Sequence, residues 1–195
     1  LLFNGKSLDG WRNFRKPDAP TRGWKIENGG LKLEAKSGRG DIITVDKFTD
    51  YDLHWEWKLP VRANNGVKYL VSEDRPKTPG PEYQMIDDTL ETDAKNRTAA
   101  LYDILPPAEN RPVKPMDEWN KSRILIQGNQ VEHWLNGKKV LAYELGSAEL
   151  NAGIAKSKFK DIKGFGEKIP GHILLTDHQD EAWYRNIKIR DLSKH

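Results

Sequence analysis

The stretch Tyr51-Asp52-Leu53-His54-Trp55-Glu56-Trp57-Lys58-Leu59 decides the fold class. Leu53, Trp55, Trp57 and Leu59 alternate with Asp52, His54, Glu56 and Lys58, the period of two that marks a strand with one buried and one polar face. Outward from it, Val67 to Val71 and Glu82 to Ile86 read as further short strands, the second punctuated by Pro79-Gly80-Pro81. Trp119 to Gln127, Val131 to Leu135 and Lys138 to Leu145 form a meander, and His172 to Asp177 and Ala182 to Arg190 close the chain as a pair. Only Thr89 to Leu101 and Ser147 to Lys158 have a helical pattern, and it is weak in both. Many short strands with few helices predict an all-β sandwich or barrel.

Gly128-Asn129 and Asn136-Gly137 suit two-residue hairpin turns and so fix register. Across the first, Ile126 faces Val131, Ile124 faces His133, Leu125 faces Glu132 and Arg123 faces Trp134. Across the second, His133 falls opposite Val140 and Trp134 opposite Lys139. His133 is thereby set on the apolar face, and Trp134 shares the polar face with Glu132 and Arg123.

Composition narrows the function. The chain has 195 residues, a length that suits one domain, with no repeat, low-complexity tract or Ser/Gly linker. The absence of cysteine excludes disulfides, thiol catalysis and Cys-ligated metal sites. With 32 basic and 29 acidic side chains interspersed there is no basic stripe, which argues against nucleic acid as a partner. Apolar runs of a few residues fall far short of the roughly 20 that span a bilayer, so no membrane insertion is expected. No segment resembles a signal peptide; one present natively is expected to have been removed from this chain. Seven Trp and six Tyr offer flat faces of the kind that stack on sugar rings, although most are expected in the core.

Gly-x-Ser-x-Gly, P-loop, Rossmann and His-Glu-x-x-His signatures are missing. So is the strand motif that sets two carboxylates about 5 Å apart in retaining glycosidases. The polar cluster that stands out is Glu82 and Gln84, two residues apart on one strand face, a carboxylate and a carboxamide suited to hydroxyls, a metal or a proton. His178 follows Asp177 where a strand gives way to a loop, and its titration range suits acid–base work. Asn64-Asn65-Gly66 reads as a turn before the strand that carries Lys68, a cation available to an enolate or carboxylate. His54 shares the polar strand face with Glu56; His172 reads as structural and His195 as part of a frayed tail.

Leu2 to Trp11, Asn65-Gly66-Val67-Lys68-Tyr69, Gly80 to Asp88, Leu101-Tyr102-Asp103, Glu132 to Gly137 and Trp183 to Ile189 together resemble the 3-keto-disaccharide hydrolase family, also called domain of unknown function 1080. The resemblance runs from Leu2 to Leu192 in the expected order. It implies a concanavalin A-like jelly-roll sandwich of two antiparallel sheets, exported to the periplasm or beyond by carbohydrate-degrading bacteria, with a site on the concave sheet. The chain departs from the pattern at Thr176 and Gln179, where many relatives carry Gln and Gly.

The resemblance also implies a reaction unlike glycosidase chemistry. A keto group at C3 acidifies the C2 hydrogen, so a base removes it, the C1 substituent leaves, and water adds to the enone. Such a site needs a base near C2, donors at the enolate oxygen and an acid for the departing oxygen. The candidates are Glu82, His133 and His178 for proton transfer, Lys68 and Gln84 for the enolate, and Trp134 or Tyr102 for stacking. Glu56, Asp88 and Arg185 are further candidates for contacts with an oligosaccharide or glycoside substrate. A divalent cation held by Glu82, Gln84, Asp88 and a His is possible, but no spacing selects a metal. The rival reading is a non-catalytic carbohydrate-binding module on the same sandwich, and a classical glycosidase ranks third.

Overall fold

The structure is a computed structural model that describes residues 1–38 and 40–193. His195, expected in a frayed tail, lies outside the described residues. Among the described residues, twelve strands and one α-helix follow in order: β1 (Trp11–Asn13), β2 (Trp24–Glu27), β3 (Gly30–Leu33), β4 (Ile42–Thr44), β5 (Tyr51–Lys58), β6 (Asn64–Val71), β7 (Glu82–Ile86), β8 (Asn120–Gln127), β9 (Gln130–Leu135), β10 (Lys138–Glu144), α1 (Ala148–Lys156), β11 (His172–Leu175) and β12 (Ala182–Asp191). All strand pairs are antiparallel. They form a five-stranded sheet in the order β1-β4-β11-β6-β7 and a seven-stranded sheet in the order β10-β9-β8-β5-β12-β3-β2. No helix among the described residues is long and apolar enough to cross a membrane.

The two sheets meet through the inward residues of each strand. On β5, Tyr51, Leu53, Trp55 and Trp57 are buried while Asp52, His54, Glu56 and Lys58 are half-buried, the alternation read from the sequence. Trp55 packs edge-on against Tyr83 of the opposite sheet with centroids 4.9 Å apart, and its indole N–H points to Met85 Sδ. Each such side chain contributes about 1.5–3 kcal/mol by leaving water. Several buried polar atoms between the sheets pair with one another. Trp57 Nε1 donates to Ser122 Oγ, Ser122 Oγ donates to the Tyr83 hydroxyl, and Tyr184 donates to Asn65 Oδ1.

The Gly128-Asn129 hairpin has the expected register, with Ile124 opposite His133 and Arg123 opposite Trp134. Across Asn136-Gly137 the register needs a correction. Trp134 does face Lys139, but a bulge between Lys139 and Leu141 sets Leu141, not Val140, opposite His133. Of the two weak helical patterns, Ser147 to Lys158 contains α1, with the Ser147 hydroxyl accepting from Leu150 N–H as N-cap. Thr89 to Leu101 does not form a helix: it holds parts of two single-turn 3-10 segments, Asp88–Leu90 and Ala94–Asn96, each opened by an aspartate cap.

Asn64-Asn65-Gly66 is also a correction. It opens β6 rather than a turn, with Asn65 opposite Met85 and Gly66 opposite Gln84. Further along β6, Leu70 sits at φ 48° where the β6–β11 register is irregular. Gly80 and Gly171 approach the backbone of residues 69–71 so closely that a Cβ on either would collide with it.

Candidate active site

Strand pairing sets one row of residues across the outer face of the five-stranded sheet. Arg12 lies opposite Ile43, Ile43 opposite Leu174, Leu174 opposite Lys68, and Lys68 opposite Glu82. The middle of the row is apolar, where Ile43 and Leu174 pack with Val71 and Phe14 apart from the main core. The β7 end is charged. Glu82 Oε2 lies 3.5 Å from Lys68 Nζ, and Oε1 lies 3.4 Å from His178 Nε2.

The Glu82 side chain is 5% exposed, that of Lys68 13% and that of His178 39%. Burial works to raise the Glu82 carboxyl, but Lys68 and His178 outweigh it and hold the group below its ordinary value, anionic. Burial works to lower His178, and the Glu82 carboxylate outweighs that, holding the imidazole above its ordinary value.

His178 is held from two sides by its own loop. Asp177 N–H donates to Asp41 Oδ1, and Asp177 Oδ2 accepts from Gly40 N–H; Asp180 Oδ2 accepts from Asn64 N–H at the start of β6. Gln179 adopts φ 70°, the left-handed region that favours the Gly implied there by the resemblance. Thr176, the other departure, is buried and donates to Asn65 Oδ1. Asp41 was not legible as a site residue because it precedes a three-residue strand with no alternation to read. Its carboxyl is raised, chiefly by burial, and it interacts electrostatically with Lys68, His178 and Glu82.

Gln84 lies two residues beyond Glu82 on β7 and donates through Nε2 to Asn96 O. Tyr102 borders Glu82 through its N–H, which donates to Glu82 O at 3.0 Å, while its hydroxyl accepts from Lys158 Nζ. The structure thus brings the side chains of Glu82, Lys68 and His178 together, with Gln84 next along β7 and Tyr102 joined to Glu82 through the backbone.

The other candidates do not join this cluster. His133 is fully buried between the sheets, hydrogen-bonded to the Tyr69 hydroxyl and Ala99 O, and burial pushes it down to about 4. It is a neutral core imidazole, as the hairpin register implied. Asp88 accepts from Thr98 N–H and pairs with Arg111, so it ties down the 88–98 excursion. Glu56, Trp134 and Arg185 lie on the outer face of the seven-stranded sheet, the opposite side of the molecule. There Arg185 pairs with Glu56 at 2.7 Å, and Arg123 covers the Trp134 ring at 5.0 Å. Trp134→Ala is accordingly expected to leave kcat/KM within about twofold of the parent, checked by steady-state kinetics, because surface changes remote from a site act weakly.

The Glu82–His178 pair predicts a pH window. His178 is raised in the fold, so the stability it contributes is complete below 6.5 and lost as pH rises through its folded value. Glu82 is lowered, so its contribution is complete above 4.5 and lost as pH falls through its folded value. The Tm gap between the parent and His178→Gln is expected to be widest between those limits. Thermal melts at about pH 3, 5.5 and 9 check this; a gap that keeps growing towards pH 9 contradicts it.

The divalent cation considered from the sequence finds no ready ligand set. Both Glu82 oxygens face cations and both Asp88 oxygens are taken. No group of three or more His, Asp or Glu side chains among the described residues is placed to hold a metal ion.

A buried carboxylate held anionic between Lys68 and His178 on a sheet face makes this the candidate site of a β-sandwich protein. Residues 1–190 match the model of the 3-keto-α-glucoside-1,2-lyase-like domain, and the chain belongs to that family. A 3-keto-disaccharide hydrolase of Bacteroides thetaiotaomicron is 33% identical, with 98% of this chain and 77% of that protein covered. Among solved structures, a candidate glycosyl hydrolase of Parabacteroides distasonis superposes with a TM-score of 0.87 at 33% identity, over 98% of this chain and 93% of its own. Another candidate glycosyl hydrolase from the same organism gives 0.72 at 25% identity, over 98% and 82%. At the level of the family, the protein is a carbohydrate-cleaving hydrolase.

Proposed function

We propose that the protein cleaves the C1–O bond of 3-keto-glycosides and 3-keto-disaccharides by proton abstraction at C2, elimination and addition of water, with Glu82 as the base. The observation that carries this reading is the position of the Glu82 carboxylate, within 3.5 Å of both Lys68 Nζ and His178 Nε2. When Glu82 takes the C2 proton it becomes neutral, the electron pair of that C–H bond forms the C2=C3 double bond, and the carbonyl π pair moves to the C3 oxygen as an enolate. The two cations lose one anion and gain another close by, so charge shifts within the site without changing in total.

The enolate then reforms the C3 carbonyl, the C1–O bond breaks, and the departing oxygen takes a proton from the His178 imidazolium. Glu82 exchanges the abstracted proton with solvent; water then adds at C1 and gives up a proton to the neutral His178, Glu82 returns a proton to C2, both residues regain their starting states, and the net change is hydrolysis. Lys68 steadies the enolate, Gln84 orients a ring hydroxyl, and Tyr102 borders the sugar.

A second reading rests on Asp41. Its carboxyl is raised while that of Glu82 is lowered, the separation a glycosidase acid and base require. Incubation in D2O with a 3-keto-glucoside and its unoxidised parent separates the two. The proposed function expects release of the aglycone from the 3-keto compound alone, with deuterium at C2 of the product. Equal cleavage of the parent favours the glycosidase reading, and binding without turnover of either favours a binding module.

A further inference from the structure

We propose that Gly66 is a positioning residue for the site: its bare Cα forms the floor on which the Glu82 side chain lies, and this aims the carboxylate at His178. Gly66 lies within β6, opposite Gln84, two residues before Lys68. Glycine weakens a strand, and here its backbone is not in the left-handed region, so conformation does not account for it. Space does. A Cβ built on Gly66 would overlap Glu82 Oε1 and stand 2.8 Å from Cδ and 2.9 Å from Cγ of the same side chain.

The contrast with Gly80 and Gly171 shows what is particular to Gly66. At Gly80 and Gly171 the nearest atoms are backbone atoms of residues 69–71, so a side chain there collides with the sheet itself. At Gly66 the three nearest atoms all belong to Glu82. The cross-strand partner of Glu82 is Lys68, yet its side chain runs diagonally over Gly66, two residues away along β6. That diagonal leads towards the loop carrying His178, whose approach is fixed by Thr176 N–H donating to Gly66 O. Any side chain at 66 closes the path and turns the carboxylate away.

The test is the titration of His178, followed by NMR of its Cε1 proton, assigned by its loss in His178→Gln. The groups facing His178 are Glu82, Lys68 and Asp41, and only Glu82 is displaced by the substitution. In the parent the His178 midpoint is expected above the ordinary imidazole value, because the Glu82 carboxylate outweighs the effect of burial. In Gly66→Ala its midpoint is expected to fall as far as in Glu82→Gln, and the double variant is expected to fall no further. His133 and His172, both buried elsewhere, report in the same spectra that the fold is intact.

An unchanged His178 midpoint in folded Gly66→Ala overturns the proposal, as does an additive fall in the double variant. If Gly66→Ala does not fold, adding Glu82→Ala removes the side chain it collides with and is expected to restore folding; failure to restore it is equally fatal. A second arm rests on the proposed function: kcat on a 3-keto-glucoside should drop in Gly66→Ala by about the factor seen for Glu82→Gln, on the order of a hundredfold or more. Should the parent turn over no 3-keto-glucoside, that reading fails while the titration still decides the role of Gly66.

Discussion

Glu82→Gln is expected to lower kcat on 3-keto-glycosides by about 10²–10⁴-fold, the range for loss of a positioned general base, with KM changed far less. Gln matches Glu in size and keeps one oxygen for either Lys68 or His178, so the side chain still fits over Gly66 while the ability to take a proton is lost. The carboxylate is the one group of the cluster that is both nine-tenths buried and anionic, since Lys68 and His178 overcome the effect of burial. Steady-state kinetics on purified variant and parent, with circular dichroism to establish folding, measure the effect. Turnover within about threefold of the parent would remove Glu82 as the base and shift attention to Asp41, whose raised carboxyl belongs to the competing glycosidase reading.

How much of this was legible in the sequence depends on which physical signal each residue carries. The Asn-Gly dipeptide occurs four times, at residues 4–5, 28–29, 65–66 and 136–137. Three include glycines at positive φ and turn the chain; Asn28 and Asn136 are left-handed too. The pair at 28–29 joins β2 and β3, a hairpin whose four-residue strands were too short to show alternation. Asn65-Gly66 looks the same but is strand, because the glycine answers to a side chain from β7 rather than to a turn. Composition cannot tell those two uses of glycine apart.

Faces were legible and sheets were not. Alternation put Glu82 and Gln84 on one face of their strand and opposed Lys68 to Val67 and Tyr69, and the hairpin turn put His133 with Ile124 and Ile126. Alternation does not say to which sheet a strand belongs, since that is settled by pairing between residues far apart in the chain. β6 and β7 pair with each other, and β11 delivers His178 beside them, whereas β5, β9 and β12 lie in the other sheet. Glu56, Trp134 and Arg185 therefore had the right polar and aromatic character and the wrong side of the molecule. Asp41 was missed for the related reason that Ile42-Ile43-Thr44 has no polar partner residue within it to reveal a face.

Lys68→Met tests the same electrostatics through stability. Removing the ammonium leaves the 5% exposed Glu82 carboxylate with only the half-exposed His178 as counter-charge, and breaking a buried pair on one side costs about 3 kcal/mol or more. The apolar stem of Met occupies the space of the lysine stem beside Leu174, so lost packing contributes little. The loss is expected to grow as pH rises through the raised His178 value, where the imidazole gives up its charge beside the stranded carboxylate, and to shrink under acid conditions as Glu82 takes a proton. Adding Glu82→Gln to Lys68→Met removes the unpaired charge, so the double variant is expected to be more stable than Lys68→Met alone. Denaturant unfolding of the parent, both single variants and the double variant at two pH values measures this coupling. Additive losses in that cycle would mean that Lys68 and Glu82 do not stabilise each other, and the charge-transfer argument for the enolate would lose its electrostatic footing.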